Sequence, residues 1–255
     1  MFDLEWPWLL WLLALIPAFY LLMPLAIWPL QRFPAHPKIE ELDTRDLKKS
    51  LRQFLMTQAS ALYDLGFAEP ILAEVPGAPL VTAYVIMLVN REQGDKAMVT
   101  ALVGHGPTPM RTMYLEFSTR FESGAMFDTL NSTELNAFPP DENTVRTQSP
   151  SVTDPEELYD LHRFVMKKHD VRSRKHVYEP GKGLKYLVRQ VLIGAYEKQV
   201  DRGWLYYDEA ADAYRPTLKG IYLITWGLMQ PMKAFRNMAL RRREKEILGE
   251  FDRGG

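Results

Sequence analysis

The chain contains no cysteine, and its charges nearly cancel. Its 255 residues include 31 lysines and arginines against 32 aspartates and glutamates, which gives a formal net charge of -1. The missing cysteine excludes disulfides, thiolate metal sites and a cysteine nucleophile, although it does not assign a cellular compartment. The missing basic excess argues against nucleic acid as the main partner, because proteins that bind phosphate backbones usually carry a large positive charge.

Familiar signatures of catalytic sites are also missing. The sequence contains no G-x-S-x-G, no H-E-x-x-H and no G-x-x-x-x-G-K-[ST]. His162, His169 and His176 are seven residues apart, about 10 Å along a helix, which is too far for one metal ion. We therefore expect surface histidines, and the sequence predicts no catalytic residue, no cofactor and no metal site.

One group of charged residues keeps two interpretations open. Glu116, Arg120 and Asp128 lie close together on a predicted β-hairpin. Paired carboxylates can carry out acid–base chemistry, whereas opposite charges on the polar face of a strand commonly form cross-strand pairs. The pairing interpretation is favoured, and a pocket with convergent polar groups beside the sheet would instead favour an enzyme.

A long uncharged stretch opens the chain. Trp6 to Leu30 contains no charged residue, and a helix needs roughly 20 apolar residues to cross a bilayer. Tryptophans near both ends suit the two membrane interfaces, and Pro17 and Pro24 are tolerated in membrane helices. We predict a transmembrane anchor over residues 1–30. A cleaved signal peptide is disfavoured because the first residues, MFDLE, are acidic.

The basic residues near this stretch predict its orientation. No lysine or arginine precedes it, whereas Arg32, Lys38, Lys48 and Lys49 follow it. Positive charge collects on the cytoplasmic side of a membrane. We therefore expect a single-pass protein of the bacterial inner membrane, with its N-terminus outside and its body in the cytoplasm.

Two short stretches resemble known families. WPWLLWLLALIP resembles the opening of the bacterial aerotolerance-type proteins, which carry a von Willebrand A domain behind their anchor. The metal-binding pattern of that domain, Asp-x-Ser-x-Ser, does not occur here, so no function is carried over. Farther along, a helix followed by WLYYDEAADAYRPT resembles the wing of winged-helix domains. No recognition helix with basic base-reading positions accompanies it, and DNA binding is not predicted.

The body reads as an α+β protein. After a linker over residues 31–42, apolar residues at helical spacing predict a helix from Asp43 to Gly66. Period-two patterns then predict a small antiparallel β-meander of three to five strands within residues 80–130. We expect Leu115, Phe117 and Phe121 to be buried and Glu116 and Arg120 to be exposed. Residues 131–153 read as a loop, and Asp154 caps a second helix.

The predicted organisation has four parts. They are an anchor (1–30), a linker (31–42), an α+β domain (43–180) and a helical segment with a short hairpin (181–255). The segment ends in a basic, membrane-proximal helix that is amphipathic or otherwise membrane-associated. The fold class is thus α+β behind an N-terminal transmembrane helix.

The C-terminal end allows three interpretations. Lys219 and Lys233 enclose thirteen uncharged residues, about 20 Å of helix, which is short of a bilayer core of about 30 Å. A spanning helix would also contradict the orientation of the first anchor. A buried core helix is the second interpretation. The third, which we favour, is a helix in the cytoplasmic interface that meets anionic lipid. Its predicted membrane-binding residues are Trp226, Lys233, Arg236, Arg241, Arg242 and Arg243.

These patterns predict a non-enzymatic accessory or scaffold protein. It would present a small α+β domain at the cytoplasmic membrane surface, with anionic lipid and another membrane protein as partners and no nucleic acid. Two alternatives remain: an enzyme of unfamiliar class that acts on a lipid or envelope substrate, and a subunit of a larger membrane complex. In a complex, the C-terminal helix would contact protein instead of lipid.

Overall fold

The computed structural model describes residues 7–76, 81–104, 111–134 and 138–254, with side chains for all of these except residues 7–14, 76 and 111. The chain divides into two compact units, each assembled from separate stretches. The first unit comprises Met1–His36, Leu135–Phe138 and Tyr196–Arg236. The second comprises Pro37–Glu134, Pro139–Ala195 and Asn237–Gly255.

The regular elements within the described residues are as follows. The helices are α1 (Pro7–Ile27), α2 (Lys49–Asp64), α3 (Pro155–Lys168), α4 (Gly183–Tyr186), α5 (Gly194–Asp201), α6 (Leu218–Leu228) and α7 (Met232–Gly254). Short 3-10 helices lie at Trp28–Leu30 and Thr44–Asp46, and a π-helix, Leu187–Ile193, joins α4 to α5. The strands are β1 (Phe33–Pro34), β2 (Glu40–Glu41), β3 (Ala68–Pro76), β4 (Val81–Asn90), β5 (Asp95–Gly104), β6 (Arg111–Arg120), β7 (Met126–Leu130), β8 (Thr144–Gln148), β9 (Leu205–Asp208) and β10 (Ala213–Pro216).

A seven-stranded sheet forms the centre of the second unit. Its strands lie in the order β2-β3-β4-β5-β6-β7-β8, and all neighbours are antiparallel except β7 and β8, which are parallel. The predicted α+β class is confirmed, as is the antiparallel pairing of β4 to β7. The sheet is larger than predicted because β2, β3 and β8 add strands where the sequence pattern indicated none.

Both faces of this sheet are covered, which changes one prediction. Leu115, Phe117 and Phe121 are buried, as the alternation along β6 predicts. Glu116 was predicted to be exposed, but it keeps only 8% of its surface accessible, and Arg120 is half-buried. The polar residues of β6 thus face a second covered surface instead of water.

Helices α2 and α3 cover the first face of the sheet. Leu51, Leu55 and Leu62 of α2 join Leu158 and Leu161 of α3 in one hydrophobic core. The predicted cap of α3 is confirmed, because the Asp154 carboxylate accepts a hydrogen bond from the Glu157 backbone amide at 3.0 Å. Asp43, the first residue of the predicted helix, instead caps the short 3-10 helix, where its carboxylate accepts a hydrogen bond from the Arg45 amide at 2.9 Å.

His162 lies inside this core. It was predicted to be a surface histidine, and that prediction is wrong, because the side chain is fully buried beneath α3. His169 and His176 are exposed, as predicted. Seven residues correspond to two turns only on a continuous helix, and α3 ends at Lys168, so the three histidines do not share one surface.

The end of α7 also packs on the second unit. Ile247, Leu248 and Phe251 lie against the core beneath the sheet, and the Phe251 ring contacts the Phe164 ring of α3 at 5.5 Å between centroids. Glu244 accepts hydrogen bonds from the Ser151 amide and hydroxyl, both at 2.8 Å. The last turns of the predicted membrane-proximal helix are therefore held by protein.

The first unit combines α1, α6 and a three-stranded sheet in the order β1-β10-β9. The predicted hairpin around DEAADA is present as β9 and β10, and β1 adds a strand from the predicted linker. The predicted anchor, residues 1–30, extends beyond the described residues at its start, and its helix α1 gives way to a 3-10 helix at Trp28. Among the residues that the structure describes, no helix is long and apolar enough to cross a membrane.

Candidate functional site

Hydrogen bonds join α1 to α6 at a proline in α1. Pro24 has no amide hydrogen, so the Tyr20 carbonyl loses its usual partner four residues later. The Trp226 indole N–H donates to that carbonyl at 2.8 Å, and the Tyr222 hydroxyl donates to the adjacent Leu21 carbonyl at 2.7 Å. The Trp226 side chain therefore replaces the hydrogen bond that the proline removes from α1, and Tyr222 adds a second bond between the helices.

A third hydrogen bond fixes the direction of the pair. The Trp28 indole N–H donates to the Pro216 carbonyl, just before α6, at 2.7 Å. Since Trp28 meets residue 216 and Tyr20 meets Trp226, α6 runs antiparallel to α1. All three donors are aromatic side chains with a polar tip, which suits a boundary between apolar and wet surroundings.

The paired helices carry a large exposed apolar surface. On α1, five side chains each leave more than half of their surface accessible: Leu15, Ile16, Phe19, Leu21 and Leu22. Leu218, Trp226 and Leu228 extend this character along α6. Soluble monomers rarely expose contiguous apolar patches above a few hundred Å², and larger ones mark contacts with protein or membrane. We call α1 and α6 with these side chains the apolar helix pair.

The predicted membrane-binding residues lie along α6 and α7. Trp226 belongs to the apolar helix pair, and Arg236 donates to the Gly227 carbonyl at 2.9 Å. Lys233, Arg241 and Arg243 are exposed on α7. Arg242 is exposed as well, and it pairs with Glu246 one turn later at 2.9 Å. The helix predicted over the thirteen uncharged residues between Lys219 and Lys233 is interrupted between Leu228 and Met232, where Pro231 lies.

A second group of side chains lies on the other face of the seven-stranded sheet. Lys96, Ser118, Asp128 and Arg146 face one another across β5 to β8, and Glu116 lies two residues before Ser118 on the same face. A salt bridge of 3.8 Å joins Arg146 to Glu116. We call Lys96, Glu116, Arg120, Asp128 and Arg146 the charged row. It includes all three residues that the sequence grouped on a hairpin.

The π-helix supports one end of this row. The Arg120 guanidinium donates to the Gln190 side-chain oxygen at 2.7 Å and to its carbonyl at 3.3 Å. Lys96 donates to the His176 carbonyl at 3.0 Å and lies 5.3 Å from the centre of the Tyr186 ring. π-helical turns often occur at functional sites, and this one brings Gln190 to Arg120.

Burial shifts the pKa values of two residues in the charged row. Burial, together with the neighbouring Asp128 carboxylate, raises the pKa of Glu116 to about 7, against the pull of Arg146. Burial and the nearby Arg120 charge lower the pKa of Lys96 to about 8. Groups that titrate near neutral pH can exchange protons with a substrate, which is the property expected of general acids and bases.

A separate polar network is enclosed between the sheet and α3. Asp95 accepts three hydrogen bonds, from Thr119 Oγ1 (2.6 Å), Tyr159 OH (2.8 Å) and Lys175 Nζ (2.6 Å). His162 lies between Thr119 Oγ1 (2.9 Å) and Thr129 Oγ1 (3.0 Å). Every polar group named here has a partner, so the network acts as a structural element of the core.

The network determines which imidazole nitrogen carries the proton. The Thr119 hydroxyl has one hydrogen, which it donates to Asp95, so it must accept from His162 Nε2. Nδ1 is then the acceptor for the Thr129 hydroxyl. Burial, reinforced by Lys175 and Lys96, lowers the pKa of His162 to about 4, although Asp95 opposes this shift. His162 is therefore neutral near pH 7.

Sequence reasoning missed two members of the charged row and the whole network. Lys96 lies in an apolar strand and Arg146 in a predicted loop, so no pattern distinguished them. Asp95 follows a turn, and the only available signal was an acidic residue directly before an apolar strand. Among the described residues, no group of three or more histidine or carboxylate side chains is placed to hold a metal ion.

Comparison with known proteins gives no family for this chain. No family model, curated protein or solved structure matches it significantly. The function is therefore argued from the apolar helix pair and the charged row.

Proposed function

We propose that this chain is a membrane-attached accessory or scaffold protein that holds its α+β unit at the cytoplasmic surface. The apolar helix pair attaches it to the bilayer, and another membrane protein is its partner. The supporting observation is the exposed apolar surface of α1 and α6 together with the two α1 carbonyls that accept hydrogen bonds from α6 side chains. In hydrocarbon, a backbone carbonyl without a donor is costly, so a proline-containing helix there needs donors from neighbouring side chains.

The orientation follows the distribution of basic residues. The N-terminus lies outside, and the residues after Arg32 lie in the cytoplasm. With 11 residues, α6 is about 16 Å long, roughly half of a bilayer core. It therefore enters beside α1 without crossing. Exposed arginines on α7 meet anionic headgroups, each contributing about 1 kcal/mol near such a surface.

Membrane attachment is tested by introducing charge into α1. We expect the full chain to stay in the membrane pellet after alkaline carbonate extraction. A variant with Leu15→Asp, Phe19→Asp and Leu22→Asp should be released, because each aspartate costs about 2.5–3.5 kcal/mol at the centre of a membrane helix. The measurement is the pellet fraction, quantified by immunoblot.

The matched control places aspartates on exposed apolar residues elsewhere. Met56 and Tyr63 on α2 are 37% and 43% exposed, and their double replacement by aspartate should leave the pellet fraction unchanged. Membrane attachment is refuted if the unmodified chain leaves the pellet, or if the triple variant remains in it.

A second candidate function, an enzyme acting on a lipid or envelope substrate, rests on the charged row. Glu116 and Lys96 titrate near neutral pH on a covered sheet face. Natural proteins retain such costly groups at functional sites, where replacement by a neutral residue often increases stability. This function would make Glu116 an acid–base residue.

Glu116→Gln distinguishes an acid–base role from a structural one. The raised pKa of Glu116 means that its contribution to stability is present in acid and is lost as the pH rises through about 7. If Glu116 has an acid–base role, we expect Glu116→Gln to raise the free energy of unfolding of the second unit by about 1–2 kcal/mol at pH 8. At pH 5 the substitution should change this free energy little. Amide exchange of β6 and β7 measures this. Destabilisation at pH 8 would identify Glu116 as a structural partner of Arg146.

A further inference from the structure

An apolar groove lies in the first unit, on the surface of α6. Its volume is about 520 Å³, within the range of about 300–1,000 Å³ that is typical of ligand sites. Its walls are made of Trp204, Leu218, Lys219, Tyr222, Leu223 and Trp226. Five of these six side chains are aromatic or leucine, so the groove suits an apolar chain, and one lysine supplies its charge.

The groove is held open by the local packing of Trp204. The indole ring stacks on Phe138, with 5.9 Å between ring centroids and 11° between planes, and the Arg202 guanidinium lies 3.8 Å from the ring centre. The Trp204 carbonyl accepts from the Thr217 amide at 3.0 Å. Gly220 makes this approach possible, because a Cβ there would lie 1.9 Å from that carbonyl oxygen. One wall is therefore formed before any ligand arrives.

The charge at the groove is positive. Lys219 is exposed in its wall, and within the described part of the chain Lys219 forms no salt bridge. An occupant that satisfies both features has an apolar tail and an anionic head.

We propose that this groove binds one acyl chain of an anionic membrane phospholipid, with the phosphate beside Lys219. The inference rests on the proposed membrane attachment, because α6 forms both the groove wall and part of the apolar helix pair. A phospholipid is favoured over an apolar peptide because the charge complement lies at the groove itself and the exposed apolar surface of α6 continues from it. The bound lipid would fix the depth of α6 in the interface.

The test uses the tryptophans in the groove as reporters. The full chain in mild detergent is titrated with phosphatidylglycerol that carries dibrominated acyl chains, which quench nearby indoles. We expect saturable quenching with one site, about fivefold tighter for phosphatidylglycerol than for the brominated phosphatidylcholine, since one basic residue contributes about 1 kcal/mol toward the anionic headgroup. The contribution of Trp204 to the total quenching is the part that is lost in the Trp204→Phe variant.

Two pairs of variants separate the groove from the surrounding surface. Leu223→Phe fills the groove and should weaken binding at least tenfold, whereas Leu228→Phe, on an exposed residue of α6 outside the groove, should not. Lys219→Glu should remove the preference for phosphatidylglycerol, whereas Lys167→Glu, at an exposed position of α3, should retain it. Far-UV circular dichroism of each variant verifies folding, and Lys219→Glu tests the proposal independently of packing.

The outcomes distinguish this inference from the proposed function. Quenching that never saturates, or that is equal in Leu223→Phe and the unmodified chain, overturns the groove site even if the chain stays in the carbonate pellet. Equal affinity for both headgroups overturns the role of Lys219. If the chain leaves the carbonate pellet, membrane attachment is refuted. If it nevertheless binds lipid saturably and in a way that depends on Leu223, the lipid site in the groove is still supported.

Discussion

Replacing Asp95 by alanine is expected to lower the free energy of unfolding of the second unit by about 4 kcal/mol. Asp95 is almost completely buried, and its two oxygens accept from Thr119, Tyr159 and Lys175. Removing one partner of a buried ion pair costs about 3–5 kcal/mol, because the other charge stays without compensation. The loss is a large part of the total stability of a typical domain, about 5–15 kcal/mol.

The size of this effect depends on the donors that would remain. After the substitution, the Tyr159 hydroxyl and the Thr119 hydroxyl lose their acceptor inside the core, and each unsatisfied group costs about 1–3 kcal/mol. The Lys175 side chain is 28% exposed, so its ammonium can turn partly toward water. This relief keeps the expected loss below the sum of the separate costs.

Amide exchange of β5 and β6 peptides in the full chain measures the loss, since exchange reports the free energy of local and global opening. Tryptophan fluorescence is unsuitable because all six tryptophans lie in the first unit. The control is Glu179→Ala, which removes an exposed pair with Lys182 and should leave the exchange of these peptides unchanged, because exposed ion pairs contribute little to stability. If Asp95→Ala exchanges as slowly as this control, the network does not stabilise the sheet.

The sequence could predict those parts of the fold where one local pattern dominates. The alternation along β6 and the continuous apolar run of β4 lead directly to antiparallel pairing. The cap at Asp154, with proline in the next position, fixes the start of α3. In each case, neighbouring residues determine the conformation without reference to distant parts of the chain.

Other elements depend on partners that are distant in sequence. β8 lies in a polar, proline-containing region, and it is a strand because β7 pairs with it in parallel. Glu116 was expected to be exposed because alternation identifies a polar face but does not reveal whether that face is covered. Polar residues on a covered face form hydrogen-bond networks, and their spacing in the sequence does not predict these networks.

The two polar groups of the second unit illustrate this limit in different ways. Lys96 and Asp95 are adjacent in β5 and therefore point to opposite faces of the sheet. Lys96 joins the charged row and Asp95 the enclosed network with His162. The first two residues of β5 thus contribute to both sites, and only the register with β6 decides which residues each site contains.

Protonation of His162 in acid is expected to remove its contribution to the stability of the second unit, whereas Glu116 contributes in the opposite direction over the same pH range. The imidazole is enclosed by Thr119 of β6, Thr129 of β7 and Tyr159 of α3, and the charges that act on it are Asp95, Lys175 and Lys96. Burial lowers its pKa to about 4 from an ordinary value of 6.5. Between these values the unfolded chain binds a proton at His162 that the folded chain does not, so the contribution of His162 to stability falls as the pH decreases.

The full contribution of His162 to stability is present above about pH 6.5. It decreases until the pH passes about 4, a loss of about 3 kcal/mol at 1.36 kcal/mol per pKa unit.

Replacing His162 by glutamine keeps a hydrogen-bond donor and an acceptor but removes the group that binds this proton. Glutamine should therefore lower stability at pH 7 while reducing the loss between pH 7 and pH 4. His169→Gln, at an exposed position, is the control and should leave the loss unchanged. Amide exchange of β6 and β7, corrected for intrinsic pH dependence, supplies the free energies. If the unmodified chain and His162→Gln lose the same free energy of unfolding between pH 7 and pH 4, another group is responsible for the sensitivity to acid.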